Sequence, residues 1–320
     1  MQTLVERVVV NSIERVAAQK WFHAIDFGEF ASQGRFRPGT PQNITLYGAF
    51  DFLRTMDLSQ ARVLDIGTYD GIVAFGARKL GSPSVFAVDT HENTAFLLAR
   101  ELLGYTNSDI NYYTGIQIAS LAEIFPKENF DVIVCCGVFY HMLHPMQAFT
   151  ETRKLLGEGG VLILETPYDH TRPEALLIFN GIDKIVNEPY TYFVPTKSAL
   201  EGMAQLSGFK VMGYRILNAP RRITYLLKAV SRSVLIDDHA TPAFIIQMLK
   251  RDTCDDSFRF KDLEKVNRKS PFLGNFDTIG SSREVDPKTH LVNFPFHPPK
   301  EKPAYGTTRF EAEDGNTKIL

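Results

Sequence analysis

The chain has no basic excess: 35 Lys and Arg stand against 37 Asp and Glu, for a formal charge of −2. General attraction to nucleic acid or to an anionic membrane is therefore not expected, because phosphate-binding surfaces carry a strong positive balance. Cysteine is scarce, with 3 in 320 residues, and two of them (Cys135 and Cys136) sit side by side in an apolar run. That excludes a disulfide framework and suits a reducing compartment. No paired Cys-x-x-Cys spacing marks a metal site, so none is expected. No run approaches 18 apolar residues, so no membrane span is expected. The N-terminus lacks a basic stretch followed by an apolar one, so neither is a signal peptide. A cytoplasmic protein is the expectation. Arg221 and Arg222, with Lys228 and Arg232, are one example of a local basic group and read as a solvated helix face.

What is present is alternation. Apolar segments at 62–66, 84–88, 110–113, 131–136, 160–166 and 209–216 read as strands. Helical patterns fall between them at 71–80, 92–103, 118–124, 145–156 and 196–207, and a last strand is expected at 242–250. Strands apolar throughout, such as Val161-Leu162-Ile163-Leu164, belong in a sheet covered on both faces. The fold class is thus α/β, a doubly wound, Rossmann-like, seven-stranded and mostly parallel sheet. Three units are expected. Residues 1–57 form an N-terminal helix and lid, 58–252 the main domain with insertions at 167–195 and 218–240, and 253–320 a polar, proline-bearing C-terminal extension.

The stretch Val63-Leu64-Asp65-Ile66-Gly67-Thr68-Tyr69-Asp70-Gly71, followed by Val85-Phe86-Ala87-Val88-Asp89, carries the first functional signal. It reads as strand, glycine turn and helix, then a second strand ending in a carboxylate. A dinucleotide fingerprint needs glycines at the first, third and sixth turn positions, here Gly67, Tyr69 and Ile72. The mismatch keeps a pyrophosphate away and leaves room for an uncharged or zwitterionic nucleoside. Asp89 lies where an acid can accept from both ribose hydroxyls. S-adenosyl-L-methionine (SAM) is the expected cofactor, held by Asp65, Gly67, Thr68, Tyr69, Asp70, Gly71, Asp89 and Thr90. Ile116 and Gln117 would clamp the adenine, and Gly137 would lie beside the sulfonium.

Ligands of open α/β sheets bind outside the carboxyl ends of the strands. Tyr140 and His141 follow the strand 131–136 at that pole. His141 can remove an acceptor proton, or else hydrogen-bond within its loop. Trp21 and His23 share an irregular segment. His23 is the candidate for the site and Trp21 for a packing anchor. Glu165 ends its strand at the same pole, to bind an acceptor amine or orient a neighbour.

These residues resemble the class I SAM-dependent methyltransferases. Val63 to Gly71 looks like their first motif, Asp89 like their second-strand acid, and Leu156-Gly157-Glu158-Gly159-Gly160 like the turn into their fifth strand. A narrower likeness is carried by Gly137-Val138-Phe139-Tyr140-His141, by Tyr190-Thr191-Tyr192-Phe193-Val194-Pro195-Thr196, and by Trp21-Phe22-His23-Ala24-Ile25-Asp26. It is to the tRNA wobble-uridine (5-oxyacetate synthase-like) group, which includes an enzyme using carboxy-SAM. The resemblance implies that Tyr140 would contact the extra carboxylate of that cofactor. The lysine expected for the same carboxylate has no counterpart between Asp26 and Val63, and ordinary SAM is expected. Three functions follow as expectations. The first is methyl transfer to an oxygen or nitrogen of a small metabolite, with Tyr140, His141 and His23 at the acceptor. The second is tRNA wobble-uridine modification, and the third is SAM binding without catalysis.

Overall fold

The computed structural model describes residues 4–35, 43–125, 130–181, 184–218 and 221–230, with two short strands at 309–311 and 317–319. Helix α1 (Leu4–Ala17) leads through an irregular segment to a 3-10 turn (Ile44–Leu46) and α2 (Tyr47–Arg54). The alternation follows: β1 (Arg62–Ile66), α3 (Ile72–Lys79), β2 (Ser84–Val88), α4 (Thr94–Leu102) and β3 (Ile110–Tyr113). Next come a 3-10 turn with α5 (Leu121–Ile124), β4 (Phe130–Cys136), α6 (Met146–Leu155) and β5 (Leu156–Pro167). A small hairpin of β6 (Leu177–Phe179) and β7 (Phe193–Pro195) precedes α7 (Lys197–Leu206), β8 (Phe209–Asn218) and β9 (Arg221–Ala229). Strands β10 (Arg309–Glu311) and β11 (Thr317–Ile319) pair antiparallel.

Seven strands form one sheet in the order β3-β2-β1-β4-β5-β9-β8. The first five run parallel, and β9 pairs antiparallel with both β5 and β8. Alternate side chains leave opposite faces of a strand, and the core divides accordingly. Val63, Val85, Val132, Val134 and Ile163 pack with Phe52 of α2, Phe75 of α3 and Phe96 of α4. Leu64, Ile133, Cys135, Leu162 and Leu227 pack with Phe149 of α6 and Leu200 of α7. Both faces are covered, which is why these strands read as unbroken apolar runs.

One expectation about the edge of the sheet is corrected. The seventh strand is Arg221–Ala229, reached by a tight hairpin from β8, not 242–250 after an insertion over 218–240. Residues 242–250 lie outside the described residues, as does 253–320 apart from β10 and β11. Among the described residues no helix is long and apolar enough to cross a membrane.

The strand order reverses between β1 and β4, and a cavity opens beyond their carboxyl ends. Every candidate residue above lies at or near that pole.

Candidate active site

The cavity has a volume of about 980 Å³. Its floor is the turn after β1. Gly67 has φ +71° and a Cβ there would lie 2.3 Å from Val138 Cγ2, so the turn can approach the 137–138 loop only as glycine. Asp65, at the end of β1, is buried; its Oδ2 accepts from Thr68 Oγ1 at 2.6 Å and from the Ala74 amide at 3.1 Å. Burial pushes its carboxyl up to about 7, against the pull of those bonds. Asp89 at the end of β2 accepts from the Tyr69 amide at 2.8 Å through Oδ2. Its Oδ1 has only long contacts of 3.4 Å, to Thr90 Oγ1 and the His91 amide, so that oxygen has capacity for a further donor.

Most of the expected residues come together. Asp65, Gly67, Thr68, Tyr69, Asp89, Thr90, Ile116, Gln117, Gly137, Tyr140, His141 and His23 all line the cavity. An apolar slot of Val88, Ile116, Ile118 and Leu121 suits a flat base. The Ile116 amide donates to the Asp89 carbonyl at 3.0 Å, so the edge contact expected of this stretch would fall to Gln117.

Two expected cofactor residues are placed elsewhere. Gly71 caps α3 at φ +92°, and a Cβ there would meet the Phe75 and Phe96 rings at 2.4 and 2.6 Å. Its role is packing. Asp70 is fully buried and turns to the N-terminal segment, accepting from the amides of Phe22 and His23 at 2.9 and 2.8 Å. Its other oxygen pairs with His23 Nδ1. The pairing fixes the imidazole with its proton on Nδ1, which leaves Nε2 the basic nitrogen. Trp21 is buried and its indole donates to the Val16 carbonyl at 2.8 Å, as a packing anchor would.

A second group lies across the cavity. Arg222 of β9 is buried against Glu165 of β5, its Nη2 donating to Oε2 at 2.9 Å and its Nε to Oε1. Nη1 lies 3.4 Å from Glu188 Oε2. Burial alone would lower the arginine's pKa, but Glu165 holds it above the ordinary value. The Arg222 guanidinium sits 4.9 Å from the Tyr140 ring and its Nη2 donates to the phenol at 3.5 Å. Burial pushes that phenol up to about 12, so Tyr140 stays protonated. Glu165 Oε2 also accepts from the Gly137 amide at 3.0 Å, so the carboxylate joins Arg222 to the loop after β4.

Arg222 is not on a solvated helix face, and its position is the site's largest departure from sequence reasoning. The signal was present but hidden: Ile223 to Leu227 is a buried run, and the polar residue before it falls at the ligand pole of the strand. His141 Nδ1 donates to the Tyr190 carbonyl at 2.9 Å, and the Tyr192 amide donates to the Tyr140 carbonyl at 2.8 Å. These bonds tie the 167–195 insertion to the rim. Cys136 also faces the cavity, and burial raises its thiol well above the usual value.

The family described as a methyltransferase domain matches residues 41–213, more than half of the chain. A tRNA U34 carboxymethyltransferase of Campylobacter concisus is 32% identical over 155 residues, covering 48% of this chain and 52% of that protein. Its counterpart from Campylobacter curvus is 31% identical over 157 residues, covering 48% and 50%. The chain thus spans about half the length of the curated relatives it matches. Among solved structures, magnesium protoporphyrin IX methyltransferase from Synechocystis with bound SAH superposes at TM-score 0.44 and 16% identity, covering 58% of this chain and 84% of that one.

Proposed function

The chain belongs to the methyltransferase-domain family, and from that premise we propose that it transfers a methyl group from S-adenosylmethionine to a uridine base of tRNA. The observation that carries the transfer is one cavity at the strand-order reversal that joins a glycine turn, an acid-ended strand and an imidazole–carboxylate pair. The residues fit the cofactor. Asp89, with an oxygen to spare, suits the ribose hydroxyls, and the Val88–Ile116–Leu121 slot suits the adenine. The close turn at Gly67 and Thr68 suits the amino-acid end. Bound there, S-adenosylmethionine supplies an electrophilic methyl group.

The protein's own contribution is alignment and proton removal. His23 takes the acceptor proton at Nε2, while Asp70 holds the ring and stabilises the imidazolium that results. Tyr140, a protonated phenol beside Arg222, serves as a hydrogen-bond donor and not as a base. The thiols of Cys135 and Cys136, raised by burial, are poor nucleophiles.

The names of the curated relatives favour tRNA over the small metabolite that the composition suggested. Methyl, and not carboxymethyl, is the group proposed. Two Arg222 nitrogens are bonded to Glu165 and the third lies 3.4 Å from Glu188, so its charge is already paired, and no lysine stands between Asp26 and Val63 to meet an extra carboxylate. A small acceptor is the second reading, favoured by the charge of −2.

The test is incubation with methyl-labelled SAM and, separately, tRNA or a small-molecule extract. Label in tRNA nucleosides is expected. Label only in the extract would overturn the tRNA acceptor, and label in neither would overturn the transfer. His23→Gln should lower turnover by about tenfold or more with S-adenosylhomocysteine affinity kept; full turnover would remove His23 as the base.

A further inference from the structure

Three described non-glycine residues have a left-handed backbone: Asn43, Tyr69 and Tyr190, at φ +59°, +51° and +61°. Asparagine adopts that region readily; a bulky aromatic does so against its own Cβ. Both tyrosines line the cavity, and both leave much of their surface in water, Tyr69 at 47% and Tyr190 at 79%. Neither conformation is compensated by burial of the ring. A strained aromatic held in solvent at a cavity mouth is a hypothesis of binding, not of packing.

Each is fixed by the site. Tyr69 donates its amide to Asp89 and packs its ring against Phe22, with centroids 4.9 Å apart. Tyr190 offers its carbonyl to His141. The two sides are bridged: the Arg35 guanidinium lies 4.2 Å over the Phe22 ring and 3.6 Å from the Glu188 carboxylate, two residues before Tyr190. The rim therefore runs Tyr69, Phe22, Arg35, Glu188, Tyr190, with an ion pair set between aromatic rings. Such a rim attracts a flat π system, by stacking and by contact with the guanidinium, far more than an aliphatic group.

We infer that Tyr69 and Tyr190 form an aromatic mouth that receives the acceptor as a planar ring, and that His141 is a positioning residue that holds Tyr190 in place. The inference rests on the reading of the cavity as a SAM-dependent transfer site and adds the residues that receive a planar acceptor there. A nucleobase in an RNA loop and a free aromatic metabolite share that chemistry.

The experiment is calorimetry on the full chain saturated with S-adenosylhomocysteine, with four probes: an anticodon stem-loop RNA, uridine, catechol and ethanolamine. The variants are Tyr190→Gly, Tyr190→Phe and His141→Ala. Ring probes should bind the native protein. They should weaken by roughly five- to a hundredfold in Tyr190→Gly, the range of one lost stack, and little in Tyr190→Phe. The glycine variant should melt no lower than the native protein, because it relieves the left-handed backbone, so its loss of binding cannot be assigned to unfolding. His141→Ala should weaken the rings similarly, and adding it to Tyr190→Gly should cost nothing more, a non-additivity that a merely structural histidine would not give.

Equal ring affinity in native and Tyr190→Gly proteins would overturn the inference, as would ethanolamine bound as tightly as the rings. Binding of the stem-loop or of catechol alone would support the mouth and identify its source, the second removing tRNA as acceptor. Absence of S-adenosylhomocysteine binding would instead overturn the cofactor reading and the inference with it.

Discussion

A buried carboxyl at the foot of the glycine turn titrates where a surface aspartate would not. Asp65 is held up to about 7 by burial, against an ordinary 3.8. The folded protein thus binds this proton more tightly than the unfolded chain does. The residue's contribution to stability is fullest below about pH 4, declines as pH rises towards 7, and is flat above it. The decline is at most about 4 kcal/mol. Asp65→Asn keeps an oxygen acceptor and removes the titration. Urea melts at about pH 5 and pH 8 should show the native protein losing more stability between them than the variant does; parallel losses would contradict the raised carboxyl.

At this scale the sequence showed residue types in their places and concealed their partners. Asp89 was legible because a strand ending in an acid, some twenty residues past a glycine turn, has a known geometric meaning. Asp70 was not: its partners Phe22 and His23 lie 48 and 47 positions upstream, a separation that no local spacing reveals.

Among elements, the β5–β9 pair carries the strongest energetic claim. An exposed ion pair contributes about 0–1 kcal/mol, whereas Arg222 and Glu165 are both buried and bonded through two nitrogens and two oxygens. Removing one partner strands the other's charge. Glu165→Gln should therefore destabilise by about 3–5 kcal/mol, and adding Arg222→Met should recover much of the loss. Denaturant melts decide this; a Glu165→Gln protein as stable as the native one would show that the guanidinium is solvated. The central parallel strands β4 and β5 were legible because Val132–Cys136 and Val161–Leu164 are unbroken apolar runs. The hairpin strand was not, because its two leading arginines look like surface. Arg221 is indeed exposed, but Arg222 is buried at the pole where polar side chains line the cavity, which is the reason the apolar run there begins with charge.

For the whole molecule, the N-terminal segment and the sheet act as one body at the site. Arg15 of α1 forms a two-bond contact of 2.7 Å with Glu101 of α4, and Asp70 holds Phe22 and His23. A ligand that orders the turn should therefore order the segment too. S-adenosylhomocysteine at a hundredfold over its dissociation constant should add about 2.7 kcal/mol to stability. Hydrogen exchange should slow over residues 20–35 as well as over 65–90; protection confined to the latter would contradict the coupling.

The carboxylate that pins the upstream strand-free segment also dictates how the protein can be cut. A fragment begun at β1 would keep all seven strands, yet would lose α2 from one face of the sheet and expose an aspartate designed to be dry, with three of its bonds gone. The apparent catalytic module is thus not separable at the place where the alternation starts: its smallest working unit includes the residues that precede it.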